Sequence, residues 1–269
     1  MTMSAIDELR QLCISLAQGA GEVALSGRIA DTNGAIGQPP AATKSSATDL
    51  VTRHDQAAER YIRERLAAER PGDGLLGEEG SSIESATGVR WIVDPIDGTT
   101  NFVYGIPAWG PSVAVAVDDV VVAGAVHFPA TGETFHAGLG AGAALGDLPL
   151  SVTTIDDVSV ALVATGFGYD PSLRAHQGER VARLLPRVRD IRRSGSAAFD
   201  LCSVACGRVD AYYEEHLNEW DLAAGLLIAR ESGALASSLD GGPPSPSSVL
   251  VSAPGIHAAL VDCLAVTTR

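Results

Sequence analysis

Apolar residues recur at helical spacing from the start of the chain, at Ile6, Leu9, Cys13, Leu16, Ala20 and Val23. This predicts a long amphipathic opening helix. A second helix is predicted after Asp49–Thr52, with Asp55 in its first turn and Ala58, Ile62 and Leu66 on one face. Between them, Asp31–Thr43 carries Asn-Gly and Pro-Pro and reads as a mobile loop that delivers Lys44. Pro71-Gly72-Asp73-Gly74 breaks the second helix, and Leu75-Leu76 is a very short strand running into Glu78. The pattern then changes period. Val89, Trp91, Ile92 and Val93 predict a buried strand that stops at Asp94-Pro95. Pro111–Val117 and Val120–Phe128 predict two more, joined at Asp118-Asp119, and Thr134–Ala137 another.

Past Leu150 the pattern turns to βα alternation. Strands are predicted at Val160–Thr165, Val209–Tyr213 and Val249–Ser252. Helices are predicted at Leu173–Val188 (interrupted or ended at Pro186), Ala197–Cys206 (closed by Gly207) and Ile256–Val266. Leu222–Glu231 is apolar on almost every side, as a buried helix would be. The result is a mixed α+β chain of layered elements, organised as two intimate halves, 1–150 and 151–269.

Composition narrows the function. A hydrophobic fraction of 46% and mean hydropathy of +0.15 describe a globular protein. No apolar run approaches a membrane span, and the N-terminus lacks a signal peptide's basic start and apolar core. A cytoplasmic protein without a membrane partner is expected. The net charge of −14 argues against a nucleic-acid surface, which needs clustered cations. Cys13, Cys202, Cys206 and Cys263 form no Cys-x-x-Cys pair, and the six histidines lack ligand spacing. A bound metal would therefore take oxygen ligands, which points to Mg²⁺, Mn²⁺ or Ca²⁺. Lys44 is the only lysine, so a compact point charge is a reason to retain it there, with chance as the alternative. Gly138-Leu-Gly-Ala-Gly142 fails the dinucleotide spacing, since Ala143 and Leu145 stand where the third glycine is needed, and reads as a turn.

The stretch Trp91–Phe102 carries the chemistry. Asp94 and Asp97 stand three residues apart across a turn stiffened by Pro95, so their carboxylates can converge. Thr99, Thr100 and Asn101 read as a helix's first turn, whose free N–H groups suit a phosphate. Taken alone, both aspartates could simply cap a turn and a helix. Asp221 sits where a helix N-cap belongs, with Trp220 as a hydrophobic staple, and capping does not preclude ligation.

Asp94-Pro-Ile-Asp-Gly-Thr-Thr-Asn101 resembles the signature of the inositol monophosphatase family of metal-dependent, lithium-sensitive phosphatases. Gly77-Glu78-Glu79, Trp220-Asp221-Leu-Ala-Ala-Gly225 and Lys44–Thr52 extend the resemblance over nearly the whole chain, in the family's order. It implies a five-layer αβαβα sandwich, the fold shared with fructose-1,6-bisphosphatases, and a homodimer. It further implies two or three Mg²⁺ ions per site, or Mn²⁺, held by Glu78, Asp94, the Ile96 carbonyl, Asp97 and Asp221. Of Glu78 and Glu79, analogy selects Glu78, a catalytic residue alongside Asp55 and Thr99, the implied water-activating pair. The Gly98 and Thr99 amides would hold the phosphate, with Lys44 lending charge. Gly195, Ser196, Ala197, Glu214 and Asp221 would meet the substrate, a small phosphorylated polyol.

The implied activity is Mg²⁺-dependent hydrolysis of myo-inositol 1-phosphate. Fructose 1,6-bisphosphate, histidinol phosphate and a 3′-phosphonucleotide are the alternatives within the class, and a regulatory binding protein on the same fold is the alternative outside it. The chain departs from the family at Asn218-Glu219, where animal members carry His-Cys, and at Ala47, where proline is usual.

Overall fold

A computed structural model describes residues 1–32, 41–43 and 50–265, and Lys44 and Ala47 lie outside these. Helix α1 spans Met3–Thr32, so Asp31 and Thr32, expected in a loop, are its last residues. Strands β1 (Ala41–Thr43) and β2 (Leu50–Thr52) pair antiparallel, a ladder that hydrophobic patterning gives no sign of. Helix α2 (Arg53–Glu69) follows, its Thr52 N-cap and Asp55 forming a reciprocal capping box.

The large sheet comprises β3 (Gly74–Gly77), β4 (Ser82–Ile83), β5 (Val89–Asp97), β6 (Gly110–Val117), β7 (Val120–Phe128), β8 (Glu133–Gly138), β9 (Gly142–Leu145) and β10 (Leu148–Pro149), with helix α3 (Thr99–Tyr104) leaving β5. Its order is β10-β9-β8-β7-β6-β5-β3-β4. Asp118 and Asp119, both with left-handed φ (49° and 63°), form the two-residue hairpin turn between β6 and β7. One expectation is corrected: β5 runs through Asp97 instead of stopping at Asp94, its register against β6 shifting between the two aspartates. Such an irregularity re-aims side chains, here at the point where the acidic turn forms.

The second sheet holds β11 (Leu162–Thr165), β12 (Asp190–Arg192), β13 (Ala211–Glu215), β14 (Leu235–Ser237) and β15 (Ser248–Ser252), ordered β12-β11-β13-β15-β14. Four helices complete this half: α4 (Pro171–Leu184), α5 (Ala197–Ala205), α6 (Glu219–Glu231) and α7 (His257–Leu264). Helix α4 ends before Pro186 in a short 3₁₀ turn, as proline requires.

Period-two alternation builds the layers. Trp91, Val93, Val113 and Val115 pack under α1 and α2, while Ile92, Ala114, Ala116 and Phe128 face α5 and α6 on the other side. In the second sheet Tyr212 and Val251 point to the α5/α6 layer, whereas Tyr213 and Leu250 point outward to Leu184 of α4 and Leu260 of α7. The order is helices, sheet, helices, sheet, helices, the expected αβαβα sandwich. The central layer is tight. A Cβ on Gly124 of β7 would lie 2.9 Å from the Ala224 Cα of α6. Gly124→Val is expected to cost about 1–3 kcal/mol by overpacking, and denaturant unfolding at wild-type stability would contradict that contact.

Gly138–Gly142 is a turn, as expected, and its amides have a use. Gly140 N–H and Gly142 N–H each donate to the Glu231 carboxylate at 2.9 Å, so the glycine-rich nest is filled by the chain's own α6.

Candidate active site

The turn between β5 and α3 is set by short-range bonds. Asp94 Oδ1 accepts the Ile96 N–H at 2.9 Å, an Asx turn that fixes this carboxylate. Gly98 then adopts φ 86°, and a Cβ there would meet the Ala108 carbonyl at 2.9 Å, so only glycine fits. Asn101 Nδ2–H donates to the carbonyls of Ala108 (2.6 Å) and Ser194 (2.8 Å), stapling the turn to a loop almost a hundred positions on. Asp97 is held from the same loop. Its Oδ2 accepts the Ser196 hydroxyl at 2.5 Å and the Ala198 N–H at 2.6 Å, from the N-cap and first turn of α5.

Asp221 reaches the site from α6. The structure corrects its position in that helix: α6 starts at Glu219, Asn218 is the N-cap, and Asp221 is the third residue, accepting the Asn218 N–H at 2.6 Å. Asn218, a departure from the family pattern, is therefore the cap that makes this box. One carboxylate oxygen from each of Asp94, Asp97 and Asp221 lies within 4.8 Å of the others.

Glu78 lines the same cavity, whereas Glu79 turns its backbone N–H to Glu59 at 2.8 Å. The cavity, about 470 Å³, is lined by every described site candidate except Asp55: Glu78, Asp94, Ile96, Asp97, Gly98, Thr99, Gly195, Ser196, Ala197, Glu214 and Asp221. Asp55 is buried behind Thr99, whose hydroxyl lies 3.2 Å from both Asp55 Oδ1 and the Ile96 carbonyl. The other Asp55 oxygen accepts the Thr52 N–H (2.8 Å) and hydroxyl (2.6 Å). The link from Asp55 to Thr99, invisible in local sequence, is thus present. Lys44 lies outside the described residues.

Arg193, Phe167, Tyr169 and Asp200 also line the cavity and were missed in the sequence. The one signal was Asp200, the single charge in the small-residue helix Ala197–Ala205.

Crowded burial makes these acids hard to ionise. Asp94 is raised well above the usual carboxylate range by burial and then by the charges of Glu78, Asp97 and Asp221. Asp221 rises well above that range for burial and the Asp97 charge. Asp97 is pushed by burial to about 6, against the Ser196 and Ala198 hydrogen bonds. Burial also takes Glu214 to about 7 and Asp200 to about 8. A carboxyl with a raised folded-state pKa contributes stability below its unfolded value that is lost as pH rises through the folded one. The metal-free protein is therefore expected to melt at progressively lower temperature from about pH 4 to about pH 8, through the windows of Asp97, Glu214 and Asp200. A melting temperature that rises over this range would contradict the burial of these charges.

An oxygen-only donor set with mutually repelling, buried carboxylates fits a hard divalent cation, which supplies the missing positive charge.

A model described as the inositol monophosphatase family matches residues 5–266. "Inositol-1-monophosphatase" of Mycobacterium leprae is 48% identical over 242 residues, 86% of this chain and 83% of the relative. A solved structure of "Mycobacterium tuberculosis SuhB" is 42% identical, covers 96% of both chains and superposes with a TM-score of 0.82. "Nus factor SuhB" of Vibrio cholerae is 40% identical over 202 residues, covering 74% of this chain and 76% of that one.

Proposed function

The chain belongs to the inositol monophosphatase family and is a phosphoric monoester hydrolase; from this premise we propose that it hydrolyses myo-inositol 1-phosphate with Mg²⁺ as cofactor. The observation that carries the reading is the convergence of Asp94, Asp97 and Asp221 within 4.8 Å, beside the Thr99–Asp55 hydrogen bond.

In this reading Glu78, Asp94, Asp97, Asp221 and the Ile96 carbonyl hold the metal, with Mn²⁺ an acceptable substitute. Bound there, the cation supplies charge neutralisation for the phosphate and acidifies water at the site. The protein's own part is proton handling. The attacking water passes its proton to the Thr99 hydroxyl, which passes its own to Asp55 Oδ1, while Oδ2 stays locked by Thr52. The phosphate lies against the Gly98 and Thr99 amides, with Lys44 adding charge. Gly195, Ser196, Ala197 and Glu214 bind the polyol. Glu214 is oriented by the Tyr212 hydroxyl, which donates to it at 2.7 Å. We further propose two halves at 1–150 and 151–269 and a cytoplasmic homodimer.

A second reading is a regulatory binding role on the same fold, favoured by the Vibrio relative's name, Nus factor. Phosphate release with and without Mg²⁺ tests both, on inositol 1-phosphate, fructose 1,6-bisphosphate, histidinol phosphate and a 3′-phosphonucleotide. Metal-dependent turnover led by inositol 1-phosphate is expected. Turnover led by another substrate keeps the mechanism and replaces the substrate. Silence on all four in a folded protein rejects inositol 1-phosphate and the three alternative substrates and shifts the weight to the regulatory reading.

A further inference from the structure

Asp200 lies in the first turn of α5 and is only 2% exposed. Ser194 beside it lowers its pKa, yet its Oδ1 has no hydrogen-bond partner. A carboxylate in a helix's first turn is commonly there to complement the dipole, but such a residue is solvated. Burying a carboxyl oxygen without a partner costs stability that a ligand or water returns. Asp200 is also absent from the converging set: among the described residues, the oxygens that meet are those of Asp94, Asp97 and Asp221. What Asp200 shares is the cavity wall, with Glu214 and Arg193. The charges of both neighbours act on it, Glu214 raising and Arg193 lowering its pKa.

Two carboxyls with one guanidinium make a surface suited to hydroxyl groups. Carboxyl oxygens accept from O–H, and the guanidinium donates to the hydroxyl oxygen. The same surface suits a second phosphate poorly, since it offers one guanidinium beside two carboxyls and a phosphate dianion has no proton to give an orphaned acceptor oxygen. Sites built to hydrogen-bond a hydroxyl discriminate strongly against ligands that lack it, because their buried polar groups are then left unpaired.

We propose that Asp200 Oδ1 accepts a hydrogen bond from a hydroxyl of the substrate's polyol, and that with Glu214 it selects a neutral polyol monophosphate over a bisphosphate. This rests on the reading of the cavity as a phosphomonoester site. Asp200 would be a specificity residue distinct from the metal carboxylates.

The test is kinetic, on the full chain with Mg²⁺, comparing wild type with Asp200→Ala and Asp200→Asn. Substrates are inositol 1-phosphate, phenyl phosphate (which has no free hydroxyl) and fructose 1,6-bisphosphate. In Asp200→Ala, KM for inositol 1-phosphate is expected to rise about tenfold or more, with a smaller change in kcat. The kcat/KM ratio of inositol 1-phosphate to phenyl phosphate falls by the same order. Asp200→Asn, which keeps an acceptor oxygen, loses less of that ratio and turns over the bisphosphate relatively better than wild type does. Should Asp200→Ala give no cooperative melt, the Asp200→Asn ratios decide. Equal losses on inositol 1-phosphate and phenyl phosphate, or unchanged ratios in both variants, overturn the assignment of Asp200 alone. A wild type inactive on all three substrates instead removes the phosphomonoester reading, and the assignment with it.

Discussion

Asp221→Asn is expected to abolish metal-dependent phosphate release, lowering kcat by about 1000-fold or more, while the metal-free protein melts no lower than wild type. Two effects move in opposite directions because one carboxylate serves two states. In the metal-free fold its charge is a burden, since burial and the Asp97 charge raise its pKa well above normal. The amide keeps an oxygen able to accept the Asn218 N–H, so the capping box survives. What it loses is the negative charge a cation needs. Asp97→Asn should behave alike, because an amide oxygen can still accept from Ser196 and Ala198. In both variants Mg²⁺ should raise the melting temperature less than in wild type, since a ligand that binds only the folded state stabilises it. Wild-type turnover in either variant would reject the site.

Asp55→Asn should lower kcat by about 10²–10⁴-fold, the range of a lost general base, with the Mg²⁺-induced rise in melting temperature retained. The substitution is nearly isosteric. Its carbonyl can keep the two bonds from Thr52, and its amide can donate to the Thr99 oxygen where the carboxylate accepted. The hydrogen-bonded frame persists, but no group is left to take the proton. Thr99→Ala tests the same relay from the other end and should lose a comparable factor. If Asp55→Asn also removed the Mg²⁺ stabilisation, Asp55 would belong with the metal carboxylates instead of behind Thr99.

Most of the elements were legible because their signals are local. Periods of 3.6 and 2 mark α1, α2 and the strands β5 to β8 within windows of ten or so residues. Pro186 and Gly207 mark helix ends by steric and conformational rules that act on neighbours in the chain. The short strands β1, β2, β12 and β14 were not legible. Each has three residues, and what makes it a strand is its partner, with β12 paired across the intervening helix α4 to β11 and β14 to the strand that follows it. The register shift that carries β5 through to Asp97 is likewise a property of its pairing with β6.

The same division runs through the site. By itself the sequence determined the composition of the acidic turn, its stiffening by Pro95 and its Gly98. It also carried, through resemblance, the family and the candidate residues. Only the tertiary structure decided that Asp55 Oδ1 meets a hydroxyl 44 residues away, that Asp97 is gripped by an amide 101 residues on, and that Asp200, in the cavity wall, keeps a buried oxygen without a partner. The reason is physical. Backbone propensity acts over a turn or two, whereas burial and charge–charge repulsion depend on which distant segments the sheets and helices bring into one low-dielectric space.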